Sequence, residues 1–140
     1  MHEKIGNKNG IETCLANIGS VYSDQGDKPK ALDYFLKALK IAEELGNRDG
    51  ISALLGNIGF AYHLQKNYPK ALDYSFNALK IAEELGDKNG IAIHLSRIGC
   101  VYTETGKFAE AEEYLKKAIA IYDSIGVMDF LRQSEESLSH

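Results

Sequence analysis

The fold is decided by the stretch GIETCLANIGSVYSDQGDKPKALDYFLKALKIAEEL at residues 10–45, which recurs as GISALLGNIGFAYHLQKNYPKALDYSFNALKIAEEL at residues 50–85. The two copies are identical at more than half of their positions, and a more divergent third copy occupies residues 90–125. The period is therefore 40 residues. Self-similarity at a fixed spacing of this size indicates a chain built from stacked supersecondary units.

Each copy contains two helical patterns and no strand-like alternation. In the first half of the first copy, Ile11, Leu15, Ile18 and Tyr22 recur every three to four residues, which places them on one face of a helix. The second half, residues 31–45, repeats this spacing with a broader apolar face. The sequence predicts an all-α fold of antiparallel helical hairpins that stack into a solenoid.

Glycines in the middle of the first helices predict close helix packing. A glycine there costs about 1 kcal/mol relative to alanine, and three units keep it at one phase: Gly19, Gly59 and Gly99. We expect the partner helix to approach closely at these glycines, with small residues opposite. The small residues expected opposite the glycines are Ala31, Ala71, Ala111, Ala38, Ala78 and Ala118.

The helix ends are predicted from glycine and from short polar residues. Glycines that close helices in a left-handed conformation are expected at Gly26, Gly46, Gly86, Gly106 and Gly126, whereas Lys66 takes the place of a turn glycine in the second unit. Asn9, Asp49, Asn89 and Asp129 are expected to accept hydrogen bonds from the first turns of helices. The predicted helices lie near 9–25, 29–45, 49–65, 69–85, 89–105, 108–125 and 129–138.

These residues resemble the tetratricopeptide repeat (TPR). Leu15, Ile18-Gly19, Tyr22, Ala31 and Ala38 stand where the family has its large apolar, Leu-Gly, Tyr and Ala positions. The usual repeat has 34 residues, so the 40-residue period is similar instead to the variant of kinesin light chains and bacterial signalling proteins. The family aromatic on the second helix is Ser75 in the second unit, with Phe76 one place later.

The repeat divides the chain into three units and two end segments. The expected division is residues 1–8 as the tail of a preceding repeat or an extension, 9–46, 49–86 and 89–126 as TPR units, and 128–140 as a capping helix or a truncated fourth unit. The first helix of the first unit is then expected to present an uncovered stacking face. Such faces could associate with other copies of the chain, so a homo-oligomer is one expected outcome.

Composition argues against several classes of function. The net charge is −4, and no basic cluster of the kind that binds nucleic acid is present. No apolar run approaches the ~20 residues that span a membrane. Catalytic motifs and spaced metal ligands are missing as well. We therefore expect no enzyme, no cofactor, no metal, no nucleic acid and no membrane contact, and the two cysteines suggest a cytoplasmic protein.

The family resemblance implies a peptide-binding or protein-binding groove lined by the first helices. Asn17, Asn57 and Arg97 share one repeat position, and in related proteins an asparagine there holds a peptide backbone. Only Asn57 and Arg97 match the carboxylate clamp of chaperone-binding members, so a true clamp is not expected. The full set of expected peptide-binding residues is Thr13, Asn17, Ser20, Asn57, Phe60, His63, Ile93 and Arg97.

Alternatives remain open at the level of sequence. The groove asparagines could simply be solvated, and Phe60 could pack on the next unit instead of contacting a ligand. A self-associating spacer of a larger protein is the second hypothesis for function, and a regulatory segment that senses a small ligand is the third. His94 is expected to be a satisfied core residue and Cys14 a buried apolar one, while Leu36 and Phe76 are expected to be partly buried.

Overall fold

The computed structural model describes the backbone of residues 2–138 and the side chains of residues 7–126. Within that range the chain is all-helical. The helices are α1 (His2–Asp24), α2 (Lys28–Leu45), α3 (Arg48–Leu64), α4 (Tyr68–Leu85), α5 (Lys88–Glu104) and α6 (Phe108–Leu138). Loops of two or three residues join them, so that neighbouring helices run antiparallel.

The helices pack as three hairpins that stack side by side. The hairpins are α1 with α2, α3 with α4, and α5 with α6, and they are joined by contacts of α2 with α3 and of α4 with α5. Helix α3 also contacts α5 directly, which places the first helices of neighbouring hairpins beside each other. These first helices therefore line one common face, which we call the groove.

In each hairpin the glycine in the middle of the first helix packs against the second helix, as the sequence predicted. A Cβ built on Gly19 would stand 2.8 Å from the Phe35 ring, and one on Gly99 would stand 2.6 Å from Leu115. In the middle hairpin the Gly59 Cβ would meet Ser75 Oγ at 2.7 Å. Ser75 is 1% exposed, so the small hydroxyl fills the place of the family aromatic.

The opposing residues were predicted only in part. The glycines face the side chains at positions 35, 75 and 115, and the expected alanines contribute their backbone. The carbonyl oxygens of Ala31, Ala71 and Ala111 would lie 3.2, 3.1 and 3.4 Å from the three Cβ positions. A larger residue at the glycine positions would therefore press against backbone as well as side chain.

The turns between the helices contain the predicted glycines, except that one turn has a lysine in place of glycine. Gly26, Gly46, Gly86 and Gly106 all have positive φ, as a left-handed helix end requires. Lys66 occupies the equivalent turn position with φ 64°, so lysine itself adopts the left-handed conformation. Asn67 instead caps α4, because its side chain accepts a hydrogen bond from the Lys70 amide.

Several predicted helix ends are wrong. Helix α1 begins at His2 and α6 continues from Phe108 to Leu138, so there is no helix end at Gly126 and no separate helix from 129. Asn9 lies inside α1, and the helix caps of α3 and α5 are Asn47 and Asp87. The cap residues stand two positions earlier than expected because α3 and α5 each begin at the second residue after the loop glycine, which makes the residue between them the cap. The side chain of Asp129, another predicted cap, lies outside the described side chains.

The described residues hold neither a membrane-spanning helix nor a metal-binding cluster. No helix there is long and apolar enough to cross a membrane. No group of three or more histidine, cysteine or acidic side chains in that part of the chain could hold a metal ion.

Candidate functional site

A small cavity lies in the groove between α1 and α3. Its volume is about 150 Å³, and Phe35 and Phe60 form its aromatic walls. Polar groups complete the lining, and they are Ser20, Ser23, Asp24 and Asn57. A cavity of this size accommodates a benzene-sized group, so the site can take one apolar side chain with hydrogen-bonding groups at its rim.

A second cavity of about 230 Å³ lies between α3 and α5. Its lining combines the apolar Ile93 and Ala53 with the polar Asn57 and Arg97. The remaining lining residues are Asp49, Ser52, Asp87, Asn89, Gly90 and His94. Asn57 is common to both cavities, so its amide stands where a ligand that crosses the groove would pass from one to the other. An amide offers both a donor and an acceptor to a peptide group.

Arg97 lies over the ring of Phe60, and this pair joins α5 to α3. The guanidinium carbon is 5.0 Å from the ring centroid, within the range of a cation–π contact. Burial lowers the pKa of Arg97 from its ordinary value. Among residues 7–126 the guanidinium has no carboxylate partner within salt-bridge distance.

His63 fixes the other side of Phe60. Its ring meets that of Phe60 edge to face, with centroids 6.1 Å apart. His63 Nε2 is 2.9 Å from Glu104 Oε1 on α5. Glu104 accepts hydrogen bonds from His63 and Tyr68, and these hold the pKa of Glu104 below its ordinary value, with the larger effect from His63. Phe60 itself is 37% exposed, so it is fixed by its neighbours while one part of the ring faces solvent.

His94 forms the buried floor where α3 and α5 meet. Its side chain is 4% exposed, and a Cβ built on Gly56 would stand 2.5 Å from its Cε1 atom. The Ser52 hydroxyl donates to the carbonyl of Ala78 at 3.0 Å, so its oxygen must accept from His94 Nε2, 3.3 Å away. The histidine is then the Nε2–H tautomer, and Nδ1 is an acceptor with no hydrogen-bond partner among the described residues.

Burial and the charge of Arg97 lower the pKa of His94 from 6.5 to about 4. The histidine is therefore neutral near pH 7. The sequence predicted a satisfied core residue, and the core position is confirmed. Only Nε2 is satisfied, because Nδ1 faces the backbone of Gly56, which offers no donor there.

The structure brings together five of the eight residues that the sequence predicted for peptide binding. Ser20, Asn57 and Phe60 line the first cavity, and Asn57, Ile93 and Arg97 line the second. His63 contacts Phe60 from the side. Thr13 and Asn17 are exposed and line neither cavity, and the Thr13 hydroxyl donates to the carbonyl of Asn9 in its own helix.

Sequence reasoning missed two kinds of cavity residue. Phe35 belongs to the core by its spacing and is 3% exposed, yet its ring forms a wall of the first cavity. Asp49 and Asp87 stand at the starts of α3 and α5 and line the second cavity. Asp87 also caps α5. A capping signal in the sequence could have located the helix start, but it does not show which neighbour the carboxylate faces.

Three expectations outside the groove have mixed outcomes. Cys14 is exposed, so the prediction of a buried cysteine is wrong. The equivalent residue of the next unit, Leu54, is 3% exposed, whereas none of the described helices covers Cys14 in the same way. Phe76 is partly buried as expected and meets Tyr114 with ring centroids 5.8 Å apart. Leu36 is 40% exposed, contrary to the expected partial burial.

Comparisons with known families identify the class of protein. Family models described as tetratricopeptide repeat match residues 12–49 and 50–124. Together they cover most of the three hairpins, and the chain belongs to the tetratricopeptide repeat family. The comparison with curated proteins gave no match.

Solved structures show the same fold. The TPR domain of Arabidopsis FLU is 22% identical with a TM-score of 0.79, and the match covers 84% of this chain and 98% of that chain. The second TPR of Spaghetti (RPAP3), bound to HSP90 peptide SRMEEVD, is 18% identical with a TM-score of 0.67, over 85% and 98% of the two chains. The apo form of RapI is 25% identical with a TM-score of 0.80, over 88% of this chain. This chain spans only 34% of RapI.

Proposed function

We propose that this protein is a protein-interaction module that binds an extended segment of a partner in the groove of α1, α3 and α5. The observation that carries the proposal is Asn57, whose side chain is shared by the two neighbouring cavities. In this arrangement Asn57 binds the peptide backbone and the cavities take side chains on either side. A structural relative in complex with a peptide supports the general mode.

Electrostatics indicates how the ligand would be oriented. Arg97 is a partly buried cation held on Phe60, and it binds an acceptor group of the ligand more strongly than a solvated arginine would. Asp49 and Asp87 lie at the opposite, helix-start end of the second cavity. A ligand with an acceptor beside Arg97 and a donor towards Asp49 and Asp87 would match both ends.

A selection from a phage-displayed library of random peptides tests the proposal without knowledge of the natural partner. Peptides that bind the wild type are measured against Asn57→Ala and Arg97→Ala. We expect each variant to lose about tenfold in affinity, the effect of removing one hydrogen bond of about 1.4 kcal/mol. Leu36→Ala is the control, because Leu36 is an exposed side chain on α2, outside the groove.

Amide NMR locates the bound peptide independently of the variants. Chemical-shift changes in α1, α3 and α5, centred on Asn57, are the expected result. Changes confined to α2, α4 and α6, or peptides that bind Asn57→Ala and Arg97→Ala as well as the wild type, would contradict a groove site.

A further inference from the structure

Helix α1 exposes a face that is covered in every later unit. Ile18 is 40% exposed and Val21 53%, whereas the equivalent Ile58 and Ala61 of α3 are 0% and 1% exposed. Ile11 is 50% exposed, and Cys14 is exposed beside it. Helix α2 covers this face of α3, and helix α4 covers that of α5. We call Ile11, Cys14, Ile18 and Val21 the head face.

Helix α6 exposes the complementary half of the same interface. The residues of α2 and α4 at this position of the repeat, Leu39 and Leu79, are each 8% exposed, whereas their equivalent Ile119 is 58% exposed. One turn later, Ala42 and Ala82 are fully buried, whereas the equivalent Tyr122 is 43% exposed. We call Ile119 and Tyr122 the tail face.

We propose that the tail face of one molecule docks on the head face of a second copy, so that α6 covers α1 as α2 covers α3. The interface between units occurs twice inside the chain, and its two halves are left exposed at opposite ends. The chain thus carries a surface and its own complement. This inference concerns a different surface from the groove and does not depend on peptide binding.

The docking geometry follows from the internal interfaces. The last turns of α2 lie beside the first turns of α3, because a loop of two residues joins them. By equivalence, Ile119 and Tyr122 of one copy would lie beside Ile11 and Cys14 of the next. The contact is heterologous, since two different faces meet, and it leaves one head and one tail free in every dimer.

Polar residues on α6 limit the strength of this contact. Glu112 and Lys116 form an ion pair of 2.7 Å at positions where the first two units have Leu32 and Leu72, then Leu36 and Phe76. The apolar part of this surface is therefore confined to Ile119 and Tyr122, near the middle of α6. We expect weak, concentration-dependent association, because polar outer faces are what terminal units of solenoids use to limit stacking.

Sedimentation velocity over a concentration series tests the proposal with two variants. Ile11→Glu removes the head face and Ile119→Glu removes the tail face, and both side chains are at least half exposed, so that the fold is retained. The wild type is expected to gain average mass with concentration, while each variant alone stays monomeric. An equimolar mixture of the two variants should form a dimer and nothing larger, because one intact head meets one intact tail.

The outcomes separate this proposal from its competitors. If Ile119→Glu still dimerises while Ile11→Glu does not, two head faces pair with each other and the head-to-tail contact is overturned. A wild type that stays monomeric at the highest concentration also overturns it, and assigns the head face to a different occupant. Ile93→Glu is the control on the groove side, and it should associate like the wild type while losing the peptides selected above.

The two cysteines give a second readout that a folding defect would not mimic. Both are free and exposed, but Cys14 lies in the head face, whereas Cys100 stands at the groove position equivalent to Phe60. Reaction with a thiol reagent should slow severalfold at Cys14 as the protein concentration rises, with Cys100 unchanged. In Ile119→Glu the rate at Cys14 should not depend on concentration. Equal behaviour of the two cysteines in the wild type would contradict the proposed contact.

Discussion

Helices α1 and α3 follow the same repeat pattern and differ sharply in environment. Both carry isoleucine, glycine and tyrosine at the same positions of the repeat. Ile58 of α3 is completely buried, yet Ile18 of α1 is 40% exposed. The glycines of the two helices are equally close to their own partner helices. The difference therefore lies on the face that packs against a neighbouring unit. The apolar pattern specifies a unit with two apolar stacking faces, but it does not specify which of these faces is covered.

The position of Cys14 extends this comparison to α5. The equivalent residues are Leu54 and His94, which are 3% and 4% exposed. At this position the interface between units is thus apolar in the first pair of units and polar in the second, where Ser52 donates to Ala78 and accepts from His94. The polar version also contains Gly56, where a Cβ would clash with His94.

The strongest test of the α1–α3 comparison replaces the same amino acid in both helices. Ile58→Ala should lower the free energy of unfolding by about 3–4 kcal/mol, because it leaves a cavity in a fully buried interface. Ile18→Ala should cost less than about 1 kcal/mol in dilute monomer, since its side chain is partly solvated already. Urea unfolding measures both values. Ile98→Ala, also at a fully buried site, is the control and should resemble Ile58→Ala; equal costs at 18 and 58 would refute the comparison.

The second test separates the polar from the apolar interface by pH. The pKa of His94 is about 4 in the folded protein, whereas the ordinary value of 6.5 applies in the unfolded chain. Between pH 4 and 6.5 the unfolded chain therefore binds more protons than the folded protein. The free energy of unfolding should then fall by roughly 3 kcal/mol as the pH drops from 7 to 4. This contribution is fully present above pH 6.5 and is lost as the pH falls towards 4.

His94→Leu, which copies Leu54 into α5, is the matched variant for that test. Carboxylates titrate in the same range in both proteins, so the difference between the wild type and the variant isolates the histidine. Stability measured by chemical denaturation at pH 7, 6, 5 and 4 should show a shallower decline for His94→Leu. Parallel curves would mean that His94 is not kept neutral by the fold.

The smallest expected effect concerns the turns that follow α1 and α3. Gly26 and Lys66 both have positive φ, which costs an L-amino acid about 1–2 kcal/mol and glycine almost nothing. Lys66→Gly should therefore raise the stability by about 0.5–1 kcal/mol, after the greater flexibility of glycine in the unfolded chain is subtracted. Gly26→Lys should lower it by a similar amount. Thermal unfolding monitored by circular dichroism measures both, and a destabilising Lys66→Gly would show that the lysine side chain makes a compensating contact.

The helical hairpins could be predicted from sequence because their signals are local and repeated. Three copies of the glycine at positions 19, 59 and 99 indicated the close contacts within hairpins, and positive φ was expected at the loop glycines. The helix ends in α1 and α6 were wrong. Gly126 stands inside α6, although the equivalent Gly46 and Gly86 end their helices. The residue after these two glycines is Asn47 or Asp87, each of which caps the next helix, whereas Val127 follows Gly126 and has no side-chain acceptor for a cap.

The candidate site was predictable only as a set of positions that face the groove. Asn57, Phe60 and Arg97 were expected there from their phase in the repeat. Their mutual arrangement, with the guanidinium 5.0 Å from the ring, depends on how closely α5 approaches α3. That distance is set by the contact of Gly56 on α3 with His94 on α5. The pattern within a single helix does not predict this contact.

The sequence by itself determined a three-hairpin repeat of the tetratricopeptide type, the glycine contacts inside each hairpin and the absence of clustered basic residues. These follow from periodicity and local backbone preference, which each unit carries within about 40 residues. Only the tertiary structure decided that Cys14 is exposed, that Leu54 is buried, that Nδ1 of His94 has no partner within the described part of the chain and that Asn57 lies between two cavities. Burial and cavity shape are properties of two neighbouring units together, so identical residues acquire different environments according to what packs against them.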